Sequence, residues 1–394
     1  MPNKVDTFSD LVYNQDIPKK ELSAVKVFNY EKYKEIKLDS EAISLITKIY
    51  EKKGEQGNYL EKKSEALLTL VEVARVQSTE ASNKIEGIVT TAERITALLK
   101  RKSKPLNRDE EEIAGYRDVL NTIHNNYEYI PFTSSYILQL HRDLLKFTSL
   151  SFAGRYKNVD NVIVEKNAEG KIVSMLFEPL KPYETADAIA DICEQYEKAL
   201  ANEHVDPLIL IPIVIHDFLC VHPFNDGNGR MSRLLTLLLL YKSGFVVGKY
   251  ISIERIIWET KQEYYKSLRQ SDDGWHEGGN NPLPFIKYML QVLYMAYREF
   301  DEKVVGAAKA VESERKAMKK QGKKAAPASQ IQVRRVIEAR IGKITKKEIV
   351  ESLPNVSEPA IKLALTALVK EGYIEIVGTG KNSAYVRTNK EGAK

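Results

Sequence analysis

Two cysteines in 394 residues are too few for a disulfide framework, and neither Cys193 nor Cys220 has the spacing of a metal knuckle. Such scarcity fits a reducing compartment. Nowhere do about eighteen apolar residues run uninterrupted, as a membrane-spanning helix requires. The most apolar stretch, Pro207 to Val221, is broken by His216 and Asp217 and predicts a buried helix. The opening Met-Pro-Asn-Lys-Val-Asp lacks the apolar stretch of a secretory leader. A cytoplasmic protein without a membrane anchor is therefore expected. Gly-Lys-Ser/Thr occurs nowhere, which excludes a Walker loop. His216 and His222 do not make a zinc pair, because six-residue spacing does not align them on a helix and no third ligand is placed to help. No internal repeat is found.

What is present is concentrated in twelve residues: His222-Pro-Phe-Asn-Asp226-Gly-Asn-Gly-Arg230-Met-Ser-Arg233. Apolar segments flank the string, Pro207 to Val221 before it and Leu234 to Tyr241 after it, so it reads as a tight loop between two buried helices. Asp226, Gly227, Asn228 and Gly229 favour a turn, and the second helix is predicted to begin near Gly229. Its first backbone N–H groups have no side chains in the way and form an anion site. Arg230 and Arg233 lie three apart on one face of its first turn, where cations oppose the helix dipole unless an anion sits between them. A polyphosphate suits that place. His222 suits a general base acting on a hydroxyl, and Asp226 a ligand for Mg²⁺ held together with phosphates. Phe224 is expected to anchor the loop in the core.

This string resembles the signature of the Fic (filamentation induced by cAMP) family at every specified position. The resemblance implies transfer of AMP from ATP to a Ser, Thr or Tyr hydroxyl of a protein. In that scheme His222 deprotonates the hydroxyl, and Asp226 holds the Mg²⁺ that bridges the phosphates. Gly227, Asn228 and Gly229 form the anion hole, while Arg230 and Arg233 hold the outer phosphates. A second segment, Ser82-Asn-Lys-Ile-Glu86-Gly87, resembles the family's inhibitory motif. Helical spacing puts Ser82 and Glu86 on one face, with Gly87 as a break. The resemblance implies that Glu86 pairs with Arg233 and blocks the productive pose of the γ-phosphate.

Val162 to Val164 and Ile172 to Phe177 are β-prone runs around a turn-rich loop and read as a β-hairpin. In the family such a flap docks an extended target segment by adding a strand. The segment holding Tyr264 and Tyr265 resembles the family's adenine-proximal helix, which places Tyr265, with Tyr264 next to it, beside the base.

Composition, at 43% apolar and 29% charged residues, supports two or three domains. Residues 301–394 hold 20 Lys and Arg against 11 Asp and Glu, with the basic density highest from Arg315 to Lys324. Beyond that run, Val333 to Ile341 predicts a helix. Thr345 to Glu348 is a capping box opening a second helix, and Ser357 caps a third over Glu358 to Glu371. The apolar positions Ile361, Leu363, Leu365, Leu368 and Val369 of that third helix are expected to face a core. Tyr373 to Val377 and Ala384 to Arg387 flank a glycine turn. Three helices and a two-stranded wing resemble a winged helix-turn-helix, with Lys362, Lys381 and Asn382 placed for DNA; protein binding and dimerisation stay open beside it.

The expected fold class is mainly α: a helical N-terminal region over 1–110 carrying the inhibitory helix, a Fic-type helical catalytic domain over 111–300 with a β-hairpin flap, a basic helix end and linker over 301–329, and a winged helix-turn-helix domain over 330–394. The expected activity is a self-inhibited, ATP- and Mg²⁺-dependent protein adenylyltransferase acting on a protein target or on itself. Two alternatives remain: an AMP-removing hydrolase using the same site, and a nucleotide-sensing DNA-binding transcriptional regulator. Dimerisation recurs among such proteins, and a homodimer is carried over on that ground alone.

Overall fold

The computed structural model describes residues 26–61, 65–99, 103–166, 172–202, 205–320, 328–338, 343–353, 356–378 and 383–388. Helices dominate. The chain divides into two compact units, one ending at Val304 and one beginning at Val305. In the first, a single apolar core runs from Phe28 to Val304, so the segment before residue 110 and residues 111–300 share one interior.

Two helices define the middle of that core. Helix α7 (Pro207–Val221) is apolar on every side and buried, as a helix without a polar face must be. Asp206 caps it, its side chain accepting from the Leu208 N–H at 2.8 Å. Helix α8 (Asn228–Lys242) packs against it and begins one residue earlier than glycine preference suggested, because Asn228 bonds backward into the loop. Around this pair lie α1 (Ser40–Glu61), α2 (Glu65–Ile85), α3 (Ala92–Leu99), α4 (Arg108–Asn126), α5 (Ser134–Leu144), α6 (Pro182–Ala201), α9 (Ile253–Glu259) and α10 (Lys261–Asp272). Helix α11 (Leu283–Lys320) follows. No helix among the described residues is long and apolar enough to cross a membrane.

Helix α2 is attached by polar groups as much as by apolar ones. Ser78, Thr79, Ser82 and Asn83 are fully buried. Ser78 Oγ donates to Glu254 Oε2 at 2.7 Å on α9, and Tyr116 OH on α4 donates to Glu254 Oε1 at 3.0 Å. Such satisfied buried bonds fix rotation and register in a way that apolar contact alone does not. The helix ends in a Schellman motif, with Gly87 N–H donating to the Lys84 carbonyl and Ile88 N–H to the Asn83 carbonyl. Gly87 supplies the φ of 79° that this turn requires.

Strands β1 (Ile163–Lys166) and β2 (Ile172–Phe177) pair antiparallel, with Ile163 opposite Phe177. Strand β1 starts one residue later than expected and runs two residues further into the loop, to Lys166, while β2 has the expected bounds; residues 167–171 lie outside the described ones.

The second unit holds α12 (Ala328–Glu338), α13 (Lys346–Ser352) and α14 (Glu358–Lys370), with β3 (Ile344–Thr345), β4 (Ile374–Val377) and β5 (Ala384–Arg387). The capping box at Thr345 and Glu348 forms as expected. Two features differ from expectation. A third strand, β3, joins the wing in the order β3-β5-β4; two residues are too few to show a period in sequence. Leu363 is 73% exposed, because the inward stripe of α14 is Ile361, Ala364, Leu365 and Leu368, and residue 363 points away from it. The wing-tip residues Lys381 and Asn382, and the side chains of Arg315 to Lys324, lie outside the described residues.

Close approach explains one glycine. A Cβ on Gly115 of α4 would lie 1.8 Å from the carbonyl oxygen of Leu144 at the end of α5. Backbone cannot yield there as a flexible side chain does. Gly115→Ala is therefore expected to destabilise the chain by at least the roughly 1–3 kcal/mol typical of overpacking, read as a lower urea midpoint; an unchanged midpoint would contradict this packing.

Candidate active site

The loop between α7 and α8 is built around an uncomfortable residue. His222 caps α7 with a φ of 50°, the one positive φ at a non-glycine position among the described residues. Such a conformation needs surrounding bonds to hold it. Its N–H donates to the Phe218 carbonyl at 3.0 Å. Asn161 Nδ2 donates to the carbonyls of His222 and Phe224 at 3.2 and 3.3 Å. Lys157 Nζ donates to the Val221 carbonyl at 2.9 Å and to Asn161 Oδ1 at 2.8 Å. From the other side, Asn228 bonds Phe224 through both ends of its amide, at 2.8 and 2.9 Å. Phe224 is fully buried and stacks on His141 at 3.7 Å between ring centres. His141 Nδ1 accepts from the Gly154 N–H, so its Nε2 carries the proton and donates to the Asp226 carbonyl at 3.0 Å.

This scaffold sets the state of His222. Its Nδ1 lies 3.1 Å from the Leu219 carbonyl, which only accepts, so Nδ1 holds the proton and Nε2 keeps its lone pair. Burial, and then the charge of Lys157, push its pKa down to about 3. Burial likewise lowers Lys157 to about 7.

A pocket opens beside the loop. His222, Asp226, Gly227, Asn228, Gly229, Arg233, Glu86, Tyr264 and Tyr265 line it, with Ile163 and Phe177 from the hairpin and Cys220 and Asp272 on the wall. Nearly all the residues expected to act together thus meet at one place. Ser82 joins them behind Arg233, whose Nε donates to Ser82 Oγ and whose Nη2 donates to the Ser82 carbonyl, each at 2.8 Å. Arg233 Nη2 also donates to Glu86 Oε1 at 2.8 Å. This guanidinium is 3% exposed, and the Glu86 carboxylate holds it firmly charged against its burial.

Glu86 does more than pair with an arginine. A Cβ on Gly229 would lie 2.3 Å from Glu86 Oε1. The carboxylate therefore rests on the first turn of α8, whose cap, Gly227 at φ 84°, provides no side-chain cap of its own. The carboxylate thus lies against the open start of the helix, where the dipole favours negative charge.

Arg230 is placed differently. It does not line the cavity; it is 1% exposed and its Nη1 lies 2.6 Å from Glu112 Oε2. Arg108 donates to Glu112 Oε1 at 2.7 Å and to Asp226 Oδ2 at 3.2 Å, and Arg230 Nη2 lies 3.3 Å from Asp226 Oδ1. Two arginines and two carboxylates thus alternate in a closed ring. Sequence reading did not find Glu112, Lys157, Asn161, His141 or Asp272. The capped acidic start of α4 after Asn107 was the signal for Glu112; the others are brought in from separate elements.

The ring carries a consequence for stability. Removing one member of a buried ion pair leaves the other uncompensated, at a cost of about 3–5 kcal/mol. Glu112→Ala is expected to lose that much in urea unfolding; a loss below about 1 kcal/mol, the scale of a surface pair, would show that Arg230 is not held this way.

Comparison with known proteins places this geometry. The sequence profile of the Fic/DOC family matches residues 131–240. A Fido domain-containing protein of Dictyostelium discoideum is 33% identical over 109 residues, which cover 28% of this chain and 71% of that protein. The protein adenylyltransferase fic-1 of Caenorhabditis briggsae is 30% identical over 157 residues, 39% of this chain but only 25% of the relative. The match thus spans a quarter of that adenylyltransferase's length. Among solved structures, a Fic family protein of Desulfovibrio desulfuricans aligns with a TM-score of 0.56 at 21% identity, covering 91% of this chain and 99% of that one. Fic-1 of Caenorhabditis elegans aligns at 0.52 and 22%, covering 68% of this chain and 73% of that one. With the loop, the helices around it and these likenesses in agreement, the chain belongs to the Fic/DOC family.

Proposed function

We propose that the protein is an adenylyltransferase that moves AMP from ATP to a hydroxyl of a protein, and that Glu86 restrains it. The observation that carries this reading is the position of Glu86, with its carboxylate against both Gly229 and Arg233 beside His222. An acid at an anion site, within a cavity that also holds a base, marks where a substrate's negative charge belongs.

The chemistry follows from the residues. A target hydroxyl attacks the α-phosphorus of ATP as its proton passes to Nε2 of His222. The bond to the β-phosphate oxygen breaks, and pyrophosphate leaves. Positive charge and positioning do most of the work in such a transfer. Backbone N–H groups from Gly227 to Gly229 meet phosphate oxygens, and Arg233 meets the outermost phosphate once Glu86 has moved. The phosphate role of the arginines falls to Arg233, since Arg230 is committed to Glu112 and Asp226. Asp226 fits Mg²⁺: its partly exposed carboxylate lines the cavity next to the phosphate position, the pattern in which one protein oxygen and phosphates share the ion. When bound, Mg²⁺ neutralises charge on the leaving group. Tyr265 and Tyr264 are assigned to the base, and Ile163 and Phe177 of the hairpin line the same pocket. That hairpin supports the docking of an extended target segment.

The second unit supports the winged-helix reading through its three helices and three-stranded wing. Helix α14 exposes Lys362 and Lys370 but opens on Glu358, which Lys346 pairs at 2.6 Å. Charge on this helix therefore does not favour DNA over a protein partner. Two buried free thiols support a reducing, cytoplasmic setting.

Transfer of labelled AMP tests the reading. Glu86→Gly should raise it roughly tenfold or more, the effect of relieving about 1.4 kcal/mol of competition. Arg233→Ala in that background should abolish the gain, and His222→Ala should lower the rate by about 10² to 10⁴. An unchanged rate in Glu86→Gly would remove the restraint, and no transfer by any variant would remove the activity.

The pH dependence has a definite sign. A pKa depressed to about 3 leaves His222 unprotonated across neutral and mildly acidic pH. Activity of Glu86→Gly should therefore persist below about pH 6.5, where an ordinary imidazole is half protonated. An acid limb at that ordinary value would show that His222 is far more exposed to water in the working enzyme.

A further inference from the structure

One cluster on the cavity wall has no part in the reaction above. His216 and Cys220 stand one helical turn apart on α7, and both are buried. Asp272, the last residue of α10, reaches them from across the core. His216 Nε2 lies 2.9 Å from Asp272 Oδ1, Cys220 Sγ lies 3.7 Å from His216 Nε2, and Cys220 Sγ lies 3.6 Å from Asp272 Oδ1. All three donor atoms fall within 4.8 Å of one another.

We propose that His216, Cys220 and Asp272 form a binding site for zinc, or for a divalent ion of the same nitrogen and sulfur preference. The triangle itself supports the assignment. Bond lengths of about 2.0 Å to nitrogen and oxygen and 2.3 Å to sulfur, at tetrahedral angles, separate ligand atoms by about 3.3 Å and 3.5 Å. The observed sides of 2.9, 3.6 and 3.7 Å need only a few tenths of an ångström of adjustment. Three protein ligands with an open fourth position are the arrangement of a reactive or exchangeable zinc site rather than a closed structural one. Cys220 and Asp272 both line the cavity, which offers room for that fourth ligand.

Charge supports the same conclusion. Without an ion Cys220 keeps its proton and donates it to Asp272 Oδ1 at 3.6 Å. A divalent ion takes the place of that proton and offsets thiolate and carboxylate together, giving a neutral group. The thiol proton is released to solvent as the ion binds, so affinity rises with pH. Cys220 Sγ lies almost equally far from His216 Nε2, at 3.7 Å, and Nδ1, at 3.9 Å, so the thiol is not aligned on one ring nitrogen as a nucleophile on its base is. Mg²⁺ does not suit a sulfur and nitrogen donor set. The site is independent of the proposed transfer reaction, and its test does not require that activity.

The test uses the untagged full-length chain, stripped of metal by a chelator and titrated with Co²⁺ without oxygen. Cys193→Ser leaves Cys220 as the sole thiol. This variant should take up one equivalent of Co²⁺, with a thiolate-to-metal charge-transfer band and the strong visible bands of four-coordinate Co²⁺. Zn²⁺ should bleach both. Cys220→Ser, with Cys193 intact, should lose the charge-transfer band. Asp272→Asn should weaken Zn²⁺ binding by at least the roughly tenfold that even an outer partner of a ligand is worth. Absence of the band in Cys193→Ser, its persistence in Cys220→Ser, or undiminished affinity in Asp272→Asn would overturn the proposal. If Cys220→Ser does not fold, the Cys193→Ser titration decides alone.

Discussion

The first turn of α8 must have an anion. Its cap is a glycine, its opening residues are Asn228 and Gly229, and no side chain caps its free N–H groups. Arg233 adds a buried cation to the same spot. A helix end so arranged is unfavourable when empty, since positive dipole and positive charge coincide. In this structure the carboxylate of Glu86 meets that need, and helix α2 is held where it is partly by doing so. The rest of the site depends on this constraint. The loop before α8 must be tight enough to leave the helix end open, and α2 must be docked firmly enough to bring an acid to it.

Two sets of buried polar bonds provide that firmness. Glu254 receives Ser78 from α2 and Tyr116 from α4, which locks α2 between two neighbours. Lys157 and Asn161 hold the carbonyls of Val221, His222 and Phe224, which sustains His222 in a conformation it would not adopt alone. Both arrangements place hydrogen-bonding groups where water does not reach, so every unmade bond there is expensive. Precision at the site is thus obtained from the surrounding shell, not from the residues that would touch a nucleotide.

The sequence was most legible where function is compressed into a short stretch. The twelve residues from His222 to Arg233 announced a loop and an open helix start, and both are present. Spacing alone put Ser82 and Glu86 on one face before Gly87, and the helix ends there with both side chains on Arg233. What was not legible came from residues brought together by the fold. The ion pair of Arg230 with Glu112 was hidden because Glu112 lies on another helix far away in sequence. The meeting of Cys220 with His216 and Asp272 was not visible, because Asp272 comes from another helix and no local pattern connects it to them. Strand β3 is too short for any period, and Leu363 was misplaced because a loose count of apolar residues ignores the phase of a helix.

The Schellman turn at the end of α2 has one further consequence. Ser82 and Glu86 occupy the final turn of that helix, and between them they make all three contacts to Arg233 described above. Unwinding a single turn from Gly87 backward withdraws hydroxyl, carbonyl and carboxylate together. Helix ends fray more readily than helix middles, while Ser78 keeps the remainder anchored to Glu254. All the contacts described for the guanidinium thus depend on one end of one helix, about four residues long.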